Sequence, residues 1–122
     1  YSIDLDIPFE DALDKLKKAL TAHGFKIFGI IDHREAAKSV GMEMNPASVI
    51  LFGSPEKGTV IMRETPTAAI DLPSKILVSG NGKTTIYFSR MEYLKERHGL
   101  KGFDEIARNF DDNVIKILRK IR

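Results

Sequence analysis

Cysteine and tryptophan are both absent from the 122 residues. Without cysteine no disulfide, thiolate zinc site, iron–sulfur cluster or cysteine nucleophile can form, which removes many chemistries at once. The absence leaves the compartment open, because a cysteine-free chain survives equally in reducing and oxidising surroundings. Long apolar runs are missing too. None approaches the ~18 residues of a membrane span, and no stretch resembles a signal peptide. The chain opens on Tyr1 rather than Met, which allows for a removed preceding segment, and the cytoplasm is the expected compartment. A marked excess of either charge is also lacking: 19 Lys and Arg face 17 Asp and Glu, a formal net charge of +2. No strong field therefore draws the protein to nucleic acid or acidic lipid. The small basic excess is local. Lys116, Arg119, Lys120 and Arg122 crowd the end of a helical pattern, where cations offset the negative pole of the macrodipole, and no basic stripe is interleaved with aromatics. Neither nucleic acid nor membrane is expected as a partner.

With 43% hydrophobic and 30% charged residues the composition is that of a globular protein. A chain of this length can bury roughly two-thirds of its unfolded surface around one core, so residues 1–122 are expected to form a single domain. Ser2 to Ile7 alternates polar and apolar residues, the period of a half-buried strand. Pro8 suits a first helical turn, and Phe9, Ala12, Leu13, Leu16, Ala19 and Leu20 recur at helical spacing down to Gly24. Phe25 to Ile31 reads as a strand with a bulge or close backbone approach at Gly29. Asp32 to Gly41 reads as a short helix, with Asp32 and Glu35 forming a capping box and Gly41 the left-handed stop.

Met42 to Ala47 is a connector bent at Asn45-Pro46, and Ser48 to Phe52 is apolar enough for a central strand. Gly53 to Gly58 reads as a tight loop, followed by a helix from Thr59 to Glu64 that Pro66 interrupts. Lys75 to Ser79 and Thr84 to Phe88 flank Gly80-Asn81-Gly82-Lys83, which predicts an antiparallel hairpin with a type I′ turn. A short helix from Met91 to Arg97 precedes Gly99, and a long amphipathic helix spans Phe103 to Ile121. This order predicts an α+β fold, a two-layer α/β sandwich in which helices cover one or both faces of a sheet of about five strands.

Several segments, taken in order and spacing, carry a family likeness. They are His23-Gly24-Phe25, Ile31-Asp32-His33 followed by Ala36-Ala37, and Gly41-Met42-Glu43-Met44. Leu51-Phe52-Gly53-Ser54-Pro55 with Gly58, Asp71-Leu72-Pro73, and Tyr93 to Leu100 complete the set. Together they resemble the Domain of Unknown Function 302 (DUF302) family over nearly the whole chain. The resemblance implies a compact two-layer α/β fold, usually a homodimer, with no established biochemical activity and no catalytic residues to carry over. Ser54 stands where the family's loop often has Asn before the proline.

Candidate sites are therefore read from the residues. Gly53 and Gly58 have the glycine spacing of a phosphate-binding P-loop. Lys57 falls before the second glycine instead of after it, and Pro55 removes an amide donor. This argues against nucleotide hydrolysis and leaves a small anion at exposed amides of Gly58 and Thr59, beside a plain turn that uses glycine for backbone freedom. His33 lies near Met42, Glu43 and Met44, ligand types suited to copper or haem iron. Methionines that fill core gaps and a histidine in a helix cap explain the same residues. His98 before Gly99 fits a helix end. His98, Tyr93 and Asp71 would make an acid–base site if the fold brought them together. Asp71 alone, between apolar neighbours, reads first as a carboxylate in an Asp-X-Pro turn.

The leading expectation is a small homodimeric ligand-binding or interaction domain, with Glu43, Gly53, Ser54, Gly58 and Thr59 as ligand-binding candidates. In it the loops Met42 to Asn45, Gly53 to Gly58 and Ala69 to Pro73 enclose a pocket for a small molecule or anion. The alternatives are an enzyme using His33, Asp71, Tyr93 or His98 in acid–base catalysis, and a metal or haem protein. No cofactor is assigned, and no motif marks the chain as an enzyme.

Overall fold

The computed structural model describes residues 1–122. The elements run β1 (Ser2–Leu5), α1 (Phe9–Ala22), β2 (Lys26–Asp32), α2 (His33–Ser39), β3 (Ala47–Gly53), α3 (Pro55–Glu64), a 3-10 helix (Pro66–Ile70), β4 (Ser74–Ser79), β5 (Thr84–Phe88), α4 (Met91–His98) and α5 (Asp104–Lys120). The five strands form one antiparallel sheet in the order β1-β5-β4-β3-β2. The expected α+β class and five-stranded sheet are what the chain adopts. Ser48 to Phe52 lies within β3, an inner strand paired on both sides.

The alternation along each strand sorts side chains onto two faces. Ile50 and Phe52 of β3, Ile76 and Val78 of β4, and Ile86 and Phe88 of β5 are buried together with Ala12, Leu16 and Leu20 of α1 and Phe110, Val114 and Leu118 of α5. The Phe110 ring stacks on Phe52 at 5.9 Å between centroids, and Phe25 meets both rings edge-on. These contacts fix α5 against the sheet. On the opposite face the register aligns Ile31, Val49, Leu77 and Tyr87 in one row across four strands. Ile31 and Tyr87 remain 45% and 47% exposed. The core thus lies on one side of the sheet, and an apolar row lies on the other.

Local signals explain most boundaries. Asp32 Oδ1 accepts the Glu35 N–H at 2.9 Å and starts α2, as its capping sequence predicts. Gly99 closes α4 at φ 64°, a left-handed conformation that glycine adopts without a Cβ clash. Two expectations need correction. The segment from Gly53 to Gly58 is not a loop throughout, because α3 begins at Pro55 and encloses Gly58. Proline is favoured in a helix's first turn, and here it outweighs the glycine four residues after Ser54. The hairpin does not turn through a two-residue type I′ loop. Ser79 and Thr85 are its last pair, and only Gly82, not Asn81, has positive φ, whereas that turn needs both. The end groups are engaged elsewhere: Gly80 N–H donates to Pro46 O, Thr84 Oγ1 donates to Ile7 O, and Asn45 Nδ2 donates to Asn81 Oδ1.

Candidate functional site

The register of β2 against β3 shifts between Ile27 and Gly29, leaving Phe28 as the extra residue of a β-bulge beside the predicted glycine. Bulges re-aim side chains. Phe28 here faces a cavity of about 210 Å³ under the start of α3. Lys26 Nζ lies 5.2 Å from the centre of the Phe28 ring, a cation–π approach. Met62 of α3, Leu72 and Pro73, Met91 of α4 and Phe110 of α5 supply the remaining apolar walls. Five separate segments therefore converge on one space.

At the rim of this pocket stand Gly53, Ser54, Lys57, Gly58, Thr59 and Ser74. Four of the five predicted ligand-binding residues are thus together, and Glu43 is not among the lining residues. Two of the three predicted loops contribute. The third, Met42 to Asn45, lies toward the hairpin, where Asn45 bonds Asn81. The expectation of exposed amides at Gly58 and Thr59 fails for a simple reason. Gly58 N–H donates to Ser54 O at 2.9 Å, and Thr59 lies a full turn inside α3, where amides are taken up by the helical ladder; its hydroxyl also donates, to Pro55 O at 2.6 Å. The N-terminal turn is finished instead by Ser54, whose Oγ accepts the Lys57 N–H at a long 3.5 Å.

A second constellation lies beyond Leu72. Asp71 ends the 3-10 helix, and its Oδ2 lies 2.5 Å from His98 Nε2 at the end of α4. Oδ1 accepts from the Arg97 guanidinium at 3.2 Å. The hydrogen bond from His98 holds the Asp71 carboxyl below its usual range, with help from the Arg97 and Lys75 charges. The other ring nitrogen of His98, Nδ1, lies 3.1 Å from Thr67 Oγ1. With Nε2 protonated toward the carboxylate, Nδ1 accepts the Thr67 hydroxyl proton, giving a carboxylate–imidazole–hydroxyl chain.

Of the predicted acid–base residues, the fold brings Asp71 and His98 into hydrogen-bond contact. Tyr93 shares only a smaller cleft with Asp71 and is 57% exposed. His33 is the exposed first residue of α2, away from both clusters. Met42 and Met44 are exposed at 63% and 40%. No three His, Asp or Glu side chains gather in a metal-ligating group. Sequence reasoning missed Phe28, Met62, Met91 and Phe110 as pocket walls and Thr67 as the partner of His98. Each looked like ordinary core or turn, and only long-range packing reveals the convergence.

A family model described as "Domain of unknown function DUF302" matches residues 1–121. The chain belongs to the DUF302 family. A crystal structure of an uncharacterized conserved DUF302 protein from Bacillus stearothermophilus superposes with a TM-score of 0.89. It is 20% identical and covers 100% of this chain and 97% of its own, so the likeness establishes the DUF302 fold. Proteins described as fluoride-specific ion channel FluC 1 in Brucella suis biovar 1 (strain 1330) and Brucella abortus biovar 1 (strain 9-941) are 29% identical over 99 residues. The match takes in 80% of this DUF302 chain but only 39% and 37% of those two proteins. No helix of the chain is long and apolar enough to cross a membrane.

Proposed function

We propose that this DUF302 domain is a homodimeric small-molecule-binding module, with the cavity beneath α3 as its site. The observation that carries the reading is the apolar pocket itself, walled from five segments and open at a polar rim. Binding sites have this character: apolar walls give affinity, and a few polar groups at the edge set orientation. The row of Ile31, Val49, Leu77 and Tyr87 on the coreless face supports pairing with a second copy. The Brucella relatives carry the similar stretch as a minor part of their length, which fits a module that works beside other domains. Ion conduction is not proposed for this chain.

A thermal-shift screen of small fragments, run on the wild-type protein and on Gly58→Phe, tests the pocket. A Cβ at Gly58 lies 3.9 Å from Met62 Cε, so the larger side chain grows beside the cavity wall. Fragments that raise Tm in the wild type and not in the variant would support the reading. A screen with no hits, or hits indifferent to the substitution, would remove it.

The contact between Asp71 and His98 favours a second reading, an enzyme in which His98 moves a proton for an exposed hydroxyl. Thr67→Val leaves the fold's apolar contacts intact and tests it through loss of turnover on an activated ester.

A further inference from the structure

The pocket has one charge. Among its thirteen lining residues only Lys57 is ionic, and Lys57 takes part in none of the chain's ion pairs. Lys18, Lys83, Lys95 and Arg97 each sit against a carboxylate and Lys26 lies over Phe28; what sets Lys57 apart from the remaining Lys and Arg is its place in the pocket lining. Lys57 thus brings one charge, without an ion-pair partner, to the lining of a largely apolar space, with the Ser54 and Ser74 hydroxyls also in the lining and no carboxylate there to oppose an anion.

From this arrangement, and resting on the pocket as the binding site, we infer that the ligand is a small apolar carboxylate. Three properties select that class. The walls of Phe28, Met62, Leu72, Met91 and Phe110 reward hydrocarbon and penalise a polar body. A cavity of about 210 Å³ is smaller than the roughly 300–1,000 Å³ of sites for drug-sized molecules, so the hydrocarbon is short or a single ring. The head group meets one cation and two free hydroxyls, those of Ser54 and Ser74, because the Thr59 hydroxyl is already given to Pro55 O. That is a match for a monoanionic carboxylate, whereas a phosphate presents more charge and more acceptors than this rim answers. In the bound state the tail points toward Phe110 and the carboxylate stays at the wet rim beside Lys57.

Calorimetric titration with octanoate, octanol and octyltrimethylammonium, each below its aggregation threshold, tests the inference on the wild-type protein, Lys57→Met, Lys57→Arg and Gly58→Phe. Octanoate is expected to bind up to about fivefold tighter than octanol, the scale of an exposed ion pair, and the cationic analogue weakest. Lys57→Met should erase the octanoate advantage while octanol binding persists, and Lys57→Arg should restore it. Shortening the acid should weaken binding by about fourfold per methylene. Equal binding of octanoate and octanol, or tighter binding of the cation, would overturn the carboxylate assignment and leave the pocket reading standing. No binding by any of the three, or binding untouched by Gly58→Phe, would overturn both.

Discussion

Asp111, in the middle of α5, holds the first amide of α4: its Oδ1 accepts the Met91 N–H at 2.7 Å. Its Oδ2 accepts the Glu92 N–H at 3.1 Å, so one carboxylate caps a helix twenty residues away in sequence. Arg90, the local cap position of α4, makes no such bond. The cap matters to the pocket because Met91, which it fixes, is one of the walls.

Asp111→Ala should destabilise the fold by about 1–3 kcal/mol, since two amides at a buried helix start lose their acceptor. Urea unfolding measures the loss, and a change below about 0.5 kcal/mol would show the cap to be dispensable. Burial pushes the Asp111 carboxyl up, against the pull of its two amide bonds. A raised folded pKa means that the folded protein holds this proton more tightly than the unfolded chain. The Asp111 contribution to stability should therefore fall as pH rises from near 3.8 through the raised value, then level off. Asp111→Asn should lack that segment of the profile.

Asp71 has the opposite sign. Its carboxyl is held down by the hydrogen bond from His98 and by the Arg97 charge. Its contribution is fully present above the unfolded value of 3.8 and is lost as pH falls through the lowered folded value. Asp71→Asn should flatten the acid limb of a plot of Tm against pH. An unchanged acid limb would mean that the pair does not form in solution.

Gly58→Ala should stabilise the protein by about 0.5–1 kcal/mol. The residue is helical, and alanine outranks glycine there by roughly this amount. A Cβ at the position meets only Met62 Cε at an ordinary 3.9 Å. Destabilisation in urea would show that the turn needs glycine after all.

Tyr87→Lys places a charge in the row shared with Leu77, Val49 and Ile31. Light scattering should show a wild-type dimer and a monomeric variant, with Tm changed only by the lost association. A wild-type monomer, or a variant that still pairs, would rule this face out as the interface.

Much of the fold could be read from local chemistry. The alternation of Ile3 and Leu5, the Pro8 start, the Asp32–Glu35 cap and the spacing of Phe110, Val114 and Leu118 each act over a few residues, and each gave the element found. The start of α3 was misread because Pro55 and Gly58 give opposing signals, and the helix resolves them in favour of proline. The hairpin turn was misread because Pro46, Ile7 and Asn45, remote in sequence, claim its hydrogen-bonding groups. The rim of the pocket was partly legible as a cluster of glycine, serine and proline. Its walls were not: Phe28 and Phe110 are 82 residues apart (110 − 28), and nothing local announces that they share a cavity. The contact between Asp71 and His98, 27 residues apart, is of the same kind.

The bulge at Phe28 sits on β2, an outermost strand of the sheet. A flat outer strand offers a ladder of unpaired amides and carbonyls on which foreign chains can grow, the route to fibres and runaway polymer. One surplus residue breaks that ladder's rhythm. The irregularity that turns an aromatic ring toward the cavity thus also spoils the strand as a template for aggregation, so that straightening it would both withdraw one wall of the cavity and restore an edge on which foreign chains can pair.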